Sequence, residues 1–154
     1  MTVLLANLAD LAHQAAIVEL LDMYCRDPFG DGRPLSEEAR KNLIPGMARH
    51  GGALVFLAYE DEKPVGLAIC FVGYSTFRGK PLVNIHDIAV RPGSRGQGVG
   101  RALLAAVERH ARELGCCKVT LEVRSDNLRA MGAYRRADFE PTEPQTWFWT
   151  RKLE

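Results

Sequence analysis

A chain of 154 residues with a formal net charge of +1 can bury a core without staples and has no basic field of the kind that grips a nucleic-acid backbone. Its four cysteines, Cys25, Cys70, Cys116 and Cys117, include an adjacent pair and no C-x-x-C spacing, which argues against a zinc site or disulfide framework and for reduced thiols in a cytoplasm. No apolar run approaches the ~20 residues that span a bilayer and no basic-then-apolar leader opens the chain, so residues 1–154 are expected to form one soluble domain without membrane, nucleic-acid or metal partners.

The predicted elements begin with a strand in the TVLLA run from Thr2 to Ala6. Asn7 as cap and Asp10 as first-turn acid then start a helix whose apolar stripe is Leu8, Leu11, Ala15, Val18, Leu21 and Tyr24. The stretch RDPFGDGRPL, Arg26 to Leu35, is too rich in Pro and Gly for anything but loop. Ser36 followed by two glutamates opens a second helix that His50-Gly51-Gly52 closes. The period then changes to that of strands: ALVFLAYE at 53–60, a turn around Asp61 to Pro64, VGLAICFVGYS at 65–75, and LVNIHDIAV at 82–90.

After Val90 comes RPGSRGQGVG, with four glycines in ten residues, leading into a helix with apolar positions Val99, Ala102, Leu103, Ala106, Val107, His110 and Leu114. Gly115 stops that helix, a strand alternates Cys117, Val119, Leu121 and Val123 on one face, and a helix spans about Asn127 to Arg136. Two short closing strands are expected near Phe139 and at WFWTRKL, Trp147 to Leu153. The order is β α α β β β α β α β β, an α/β chain with a mixed sheet. The strands ending at Val90 and Val123 are joined by a helix, so they are expected to run parallel.

Opening a helix on Gly98 and Gly100 costs roughly 1 kcal/mol for each glycine relative to Ala. A phosphate accounts for that cost, because glycines without Cβ let it approach the unpaired amides of the helix start, and each charge-assisted hydrogen bond contributes on the order of 1.5–3 kcal/mol. A Walker loop is excluded, since no Gly-Lys-Ser or Gly-Lys-Thr occurs, and the dinucleotide fingerprint fails at Arg101. A flexible linker is the remaining plain alternative.

Arg95-Gly96-Gln97-Gly98-Val99-Gly100 matches [RQ]-x-x-G-x-[GA], and NLRAMGAYRRADF, Asn127 to Phe139, matches N-x-x-A-x-x-x-Y. With the element order, these motifs resemble the GNAT superfamily of acyl-CoA-dependent N-acyltransferases over essentially the whole chain. Within it, GKPLVNIHDIAV resembles the polyamine (diamine) acetyltransferase branch. Where the family often has Gly-Phe after the tyrosine helix, this chain has Ala137-Asp138-Phe139.

The resemblance implies acetyl-CoA as co-substrate, its pyrophosphate on the turn formed by Arg95, Gly96, Gln97, Gly98, Val99, Gly100 and Arg101. It also implies a pantetheine arm along Ile88, Ala89 and Val90, with Asn127 in contact. It implies a single N-acetyltransferase domain acting on a small primary amine, polyamine-like or amino-acid-like. A protein amino group as acceptor and a non-catalytic acyl-CoA sensor are the alternatives.

Attack on a thioester needs a neutral amine, which costs about 4–5 kcal/mol at pH 7 for a pKa near 10.4. His86, with an ordinary histidine pKa of ~6.5, and Asp87 are the candidate bases. Alternation of the strand would let only one of the two face the cleft. Tyr134, two helical turns after Asn127, matches the family tyrosine that supplies a proton to the leaving thiolate. Asp27, Phe29, Tyr74 and Phe77, with carboxylates and aromatics suited to a cation, are the candidate acceptor contacts. A homodimer is expected, with Trp147 and Trp149 packing against the sheet or a second subunit.

Overall fold

Strand order follows chain order because each strand of the apolar middle third folds back on the one before it. The computed structural model, which describes residues 1–153, has β1 (Thr2–Leu5), α1 (Leu11–Cys25), α2 (Glu37–His50), β2 (Ala53–Glu60), β3 (Lys63–Ser75) and β4 (Lys80–Val90), then a 3₁₀ turn (Pro92–Ser94), α3 (Val99–Glu113), β5 (Val119–Leu121) and α4 (Leu128–Arg135). The sheet order is β1-β2-β3-β4-β5. The first three pairings are antiparallel and β4-β5 is parallel, as the strand-helix-strand reading requires. The α/β mixed sheet expected from the sequence is borne out.

The helix starts are set by single side chains. Ser36 Oγ accepts from the Ala39 amide at 3.1 Å, and Gly51 ends α2 in the left-handed region at φ 73°. In α1 the cap is Asp10, whose carboxylate accepts from the Ala12 and His13 amides at 2.8 and 3.1 Å. Asn7 instead closes a tight turn onto the Ala9 amide. The buried face also differs from the expected stripe: Ala16, Ile17, Leu20 and Leu21 are inside, whereas Leu11 is 79% exposed. This helix is apolar on nearly every side, so periodicity cannot choose its face and packing on the sheet does.

Two cores sandwich the sheet. Ile17, Leu20 and Met47 of α1 and α2 meet Val55, Leu57, Leu67 and Ile69 on one face. On the other, Val99, Leu103 and Val107 of α3 meet Phe56, Ala68, Cys70, Val83 and Ile85, and Tyr134 of α4 packs at the margin. Gly66 lets α3 approach β3 closely, since an added Cβ would lie 2.8 Å from Val99 Cγ1 and 3.0 Å from Leu103 Cδ1.

The two closing strands do not form among the described residues. Asp138 takes a positive φ of 59°, and the Phe139 amide donates back to the Tyr134 carbonyl at 3.0 Å. That bond turns the chain onto the end of α4. Beyond it, Pro141 and Pro144 lack the amide hydrogens that a strand ladder needs.

Leu103 is completely buried between α3 and the sheet. Leu103→Ala is expected to lower the unfolding free energy by about 2–5 kcal/mol, read from the urea midpoint. A loss well under 1 kcal/mol would contradict this packing.

Candidate active site

Pairing of β4 with β5 covers only Val83–Val119, Asn84–Thr120 and Ile85–Leu121. Beyond Ile85 the strands separate, and His86 to Val90 present the edge facing β5 without a strand partner, while the other edge stays bonded to β3. The separation coincides with a β-bulge: Ile69 opposes Asp87 and Cys70 opposes Ile85, so His86 is the extra residue. The inserted residue shifts the alternation, and Val83 and Ile85 share the α3 face with Ile88 and Val90.

The bulge corrects one expectation. His86 packs edge-on against Phe71, ring centroids 5.6 Å apart, and Asp87 opposes Ile69. Phe71 and Ile69 both belong to the core under α1 and α2, so His86 and Asp87 lie on the same face of the sheet. The simple two-residue alternation of a strand fails at this one point.

The glycine turn sits at the carboxyl end of β4. Gly96 and Gly98 have φ of 82° and 87°, conformations that side-chain-bearing residues rarely adopt, and a Cβ on either would meet nothing within 4 Å. Gly98 caps α3 with no side-chain hydrogen bond, leaving the first-turn amides of Val99, Gly100 and Arg101 directed outward with the positive end of the helix dipole. Val99 buries its side chain in the core and offers only its backbone. The Gln97 side-chain amide donates to the Gly93 carbonyl at 2.8 Å and braces the turn. Arg101 is exposed. Arg95 is engaged: its Nε donates to the Val90 carbonyl and its Nη2 to Asp27 Oδ2, both at 2.9 Å.

A cavity of about 130 Å³ crosses the sheet where β4 and β5 part. Tyr24 and Phe29 line it from the α1 side, Ile85, His86 and Ile88 from β4, and Asn127, Ala130 and Tyr134 from the α4 side. Burial pushes the Tyr134 phenol up to about 12, with a further contribution from Tyr24. The group therefore stays protonated at physiological pH and can donate a hydrogen bond to a developing anion. Burial also raises the pKa of Asp87, while the neighbouring His86 lowers it. A carboxylate raised this way is a stronger base than an exposed one. The Tyr24 phenol is raised by burial first and then by the Asp87 charge. Asn127 Oδ1 caps α4 through the Ala130 amide at 3.1 Å, leaving its amide NH₂ for other partners.

Of the four acceptor candidates, the structure brings only Phe29 to the cavity lining. Asp27 is committed to Arg95 and is held below the usual carboxylate range by the Phe29 amide and that guanidinium. Tyr74 and Phe77 are 63% and fully exposed at the β3-β4 turn. That turn opens β4 at Lys80, the end opposite the glycine turn. Sequence reading missed Tyr24, Glu122 and Arg124. The Arg124 guanidinium stacks over the Phe29 ring at 5.6 Å and bridges the two banks of the opening. Glu122 takes hydrogen bonds from Asn84 at 3.2 and 3.3 Å. A larger groove between α1 and α2 contains the Asp22–Arg40 ion pair and lies apart from these groups. Among the described residues, no cluster of three or more His, Cys, Asp or Glu could hold a metal ion.

The model of the acetyltransferase (GNAT) family matches residues 15–139. The chain belongs to the GNAT family. It is 30% identical over 118 residues to the aminoglycoside N(6')-acetyltransferase type 1 of Stenotrophomonas maltophilia, covering 75% of this chain and 77% of that one. It is 31% identical over 144 residues to the thialysine N-epsilon-acetyltransferase of Mus musculus, covering 93% and 77%. The solved structure of AAC(6')-Iy in complex with a bisubstrate analogue, CoA-S-monomethyl-acetylneamine, superposes with a TM-score of 0.80 at 20% identity, over 99% of this chain and 98% of that one. The likeness to that structure is one of fold.

This GNAT chain is an acetyl-CoA-dependent N-acetyltransferase. Its own geometry fits that co-substrate in two places. The left-handed glycines with open space over uncapped helix amides suit a pyrophosphate, and the unpaired edge of Ile88 to Val90 can pair with the amides of an extended arm.

Gly98→Val would force a β-branched residue to φ 87° and fill the approach, so calorimetry is expected to show CoA binding weakened at least about tenfold. Unchanged affinity would contradict the assignment of the turn. Asp87 gives a second test. Its raised pKa means the folded chain binds the proton more tightly than the unfolded one; its contribution to stability is full below the ordinary value of 3.8 and is lost as pH rises through the raised value. Asp87→Asn removes that loss, so the variant should gain stability relative to wild type as pH increases in paired urea titrations. A pH-independent difference would contradict the burial of the charge.

Proposed function

We propose that residues 1–154 act as one N-acetyltransferase domain that acetylates a small primary amine, polyamine-like or amino-acid-like, in the cytoplasm and as a homodimer. The observation that carries this reading is the cavity through the parted strands, lined by His86 and by the half-buried phenol of Tyr134, with the half-buried Asp87 next to His86 on the α1 face of the sheet. Its small volume suits an amine carried on a slender arm. Two relatives are named for small amines, an aminoglycoside N(6') and the N-epsilon of thialysine, which supports a small-molecule acceptor over a protein amino group. The four free cysteines are in keeping with a reducing compartment, and the exposed aromatics of the C-terminal segment support self-association.

Acetyl-CoA supplies an acetyl group activated as a thioester. Gln97 to Gly100 hold the pyrophosphate by backbone amides, and Arg101 adds charge from the first turn of α3. Arg95 braces the turn against the α1-α2 loop, and Ile88 to Val90 offer the strand edge. Asn127 adds its free amide.

Asp87, with its carboxylate made more basic by burial, draws the proton from the incoming ammonium, and Tyr24 and His86 line the path to solvent. The neutral nitrogen attacks the thioester carbonyl from the α1 side. Attack forms the N–C bond; as the S–C bond breaks, Tyr134 donates its phenolic hydrogen to the departing sulfur from the other side, and the second proton of the nitrogen, lost as the amide forms, returns through solvent to restore the phenol. Phe29 and Arg124 frame the acceptor entrance. The exposed, distant positions of Tyr74 and Phe77 leave them out of this arrangement.

Release of free thiol measured against a panel of diamines, aminoglycosides and amino acids tests the reading. Tyr134→Phe is expected to lower kcat by on the order of 100-fold with little change in the KM for acetyl-CoA. Absence of thiol release with every amine, while CoA still binds, would make the chain a binding module instead.

A further inference from the structure

Two side chains approach each other from opposite banks of the acceptor opening. Phe29 comes from the loop after α1 and Arg124 from the chain just past β5, and both line the cavity where the strands part. The Arg124 guanidinium lies over the Phe29 ring, 5.6 Å from its centroid, and its Nη1 donates to the Pro28 carbonyl at 3.5 Å. Together they lay a bar across one side of the opening.

Each half of the bar is held from behind. The Phe29 amide donates to Asp27 Oδ1 at 3.0 Å, and Asp27 Oδ2 accepts from Arg95 Nη2 at 2.9 Å, which ties the loop to the glycine turn. Gly30 packs so closely on the end of α1 that a Cβ there would collide with the Tyr24 carbonyl, which fixes the turn that carries Phe29. Arg124 is gripped by Asp126, Nε to Oδ1 at 3.0 Å and Nη2 to Oδ2 at 2.7 Å. That fork orients a flat guanidinium over the ring, a shape that a lysine ammonium does not present. With Asp126 matching its charge, Arg124 gives the opening a surface more than a free cation.

The space behind the bar sets what can pass. At ~30 Å³ for a group the size of a water molecule, a cavity of about 130 Å³ holds roughly four such groups. An unbranched alkylamine meets that limit. An amine set within one carbon of a six-membered ring brings the ring against Phe29 and Arg124 before its nitrogen reaches the thioester.

We propose, resting on the small-amine acetyl transfer above, that the stacked Phe29 and Arg124 form a width filter, which selects primary amines at the end of an unbranched chain, such as diamines and ω-amino acids, and rejects amines close to a ring. Asp27 is a positioning residue for this filter, acting through the Phe29 amide and Arg95.

Thiol release from acetyl-CoA by the full-length protein is compared for cadaverine and lysine against neamine, an aminoglycoside whose amines sit on a ring or one carbon from it. Wild type is expected to favour the better linear amine by on the order of 100-fold in kcat/KM. Phe29→Ala, Arg124→Ala and Arg124→Lys should each cut that preference at least about tenfold, mainly through a lower KM for neamine, whereas Phe29→Tyr, which keeps the ring, should retain it. Asp27→Ala should cut it in the same direction and by less. A ratio of two substrates on one preparation is insensitive to how much of the protein is folded, so a purely structural loss does not move it. Wild type that acetylates neamine as well as the linear amines overturns the filter, and so does a preference that survives in both alanine variants. Wild-type preference in Arg124→Lys assigns the effect to charge and overturns the stack, and in Asp27→Ala it overturns the positioning role. Each of these results leaves the acetyl transfer standing, whereas absence of thiol release with every amine overturns that reading and the filter together.

Discussion

Everything that this molecule can do chemically depends on two parallel strands that stop pairing. Three residue pairs join β4 to β5, and past Ile85 and Leu121 no further pairing joins the two strands among the described residues, although the Val90 carbonyl accepts from Arg95 Nε. Unpaired backbone groups inside a protein are costly, so an edge of this kind is kept where a ligand completes it. The gap also connects the two faces of the sheet. An acceptor held on the α1 side and a co-substrate held on the α4 side can therefore meet without either crossing the core.

Electrostatics follow from that geometry. Asp87 sits on the bulge, close enough to the core for burial to raise its pKa, and the chain accepts the loss of stability that a buried carboxylate brings at neutral pH. Tyr134 is raised by the same cause with the opposite chemical result. A carboxylate becomes a better proton acceptor when buried, and a phenol becomes a more persistent donor. Burial thus fits the two groups to the different proton-transfer tasks proposed for them above. Arg95 ties the glycine turn to the loop after α1, because its guanidinium reaches Asp27.

What the sequence made legible was local. Glycines at positive φ, Ser36 and Asn127 as caps, and the strand-helix-strand order are properties of short windows, and the structure reproduces them. What it hid was long-range. Alternation put His86 and Asp87 on opposite faces, but an inserted residue in one strand is visible only against the strand that it pairs with. Asp27 read as a free carboxylate until Arg95, 68 residues away in the chain, was placed beside it. Tyr24 passed for core and Glu122 for solvent-facing strand polarity, since nothing in their neighbours marks the gap that they line. The closing strands were expected from alternation at Phe139 and Trp147 to Leu153, but alternation names no partner strand, and none forms with them among the described residues.

The bulge at His86 also changes what kind of constraint the site is under. Pairing the same residues without the bulge would turn Ile88 and Val90 away from α3 and set His86 and Asp87 on opposite faces of the sheet. Replacing His86 would do none of this. At that position the backbone depends on an extra residue being present before it depends on which residue it is, because the insertion, and not the imidazole, sets His86 and Asp87 on one face.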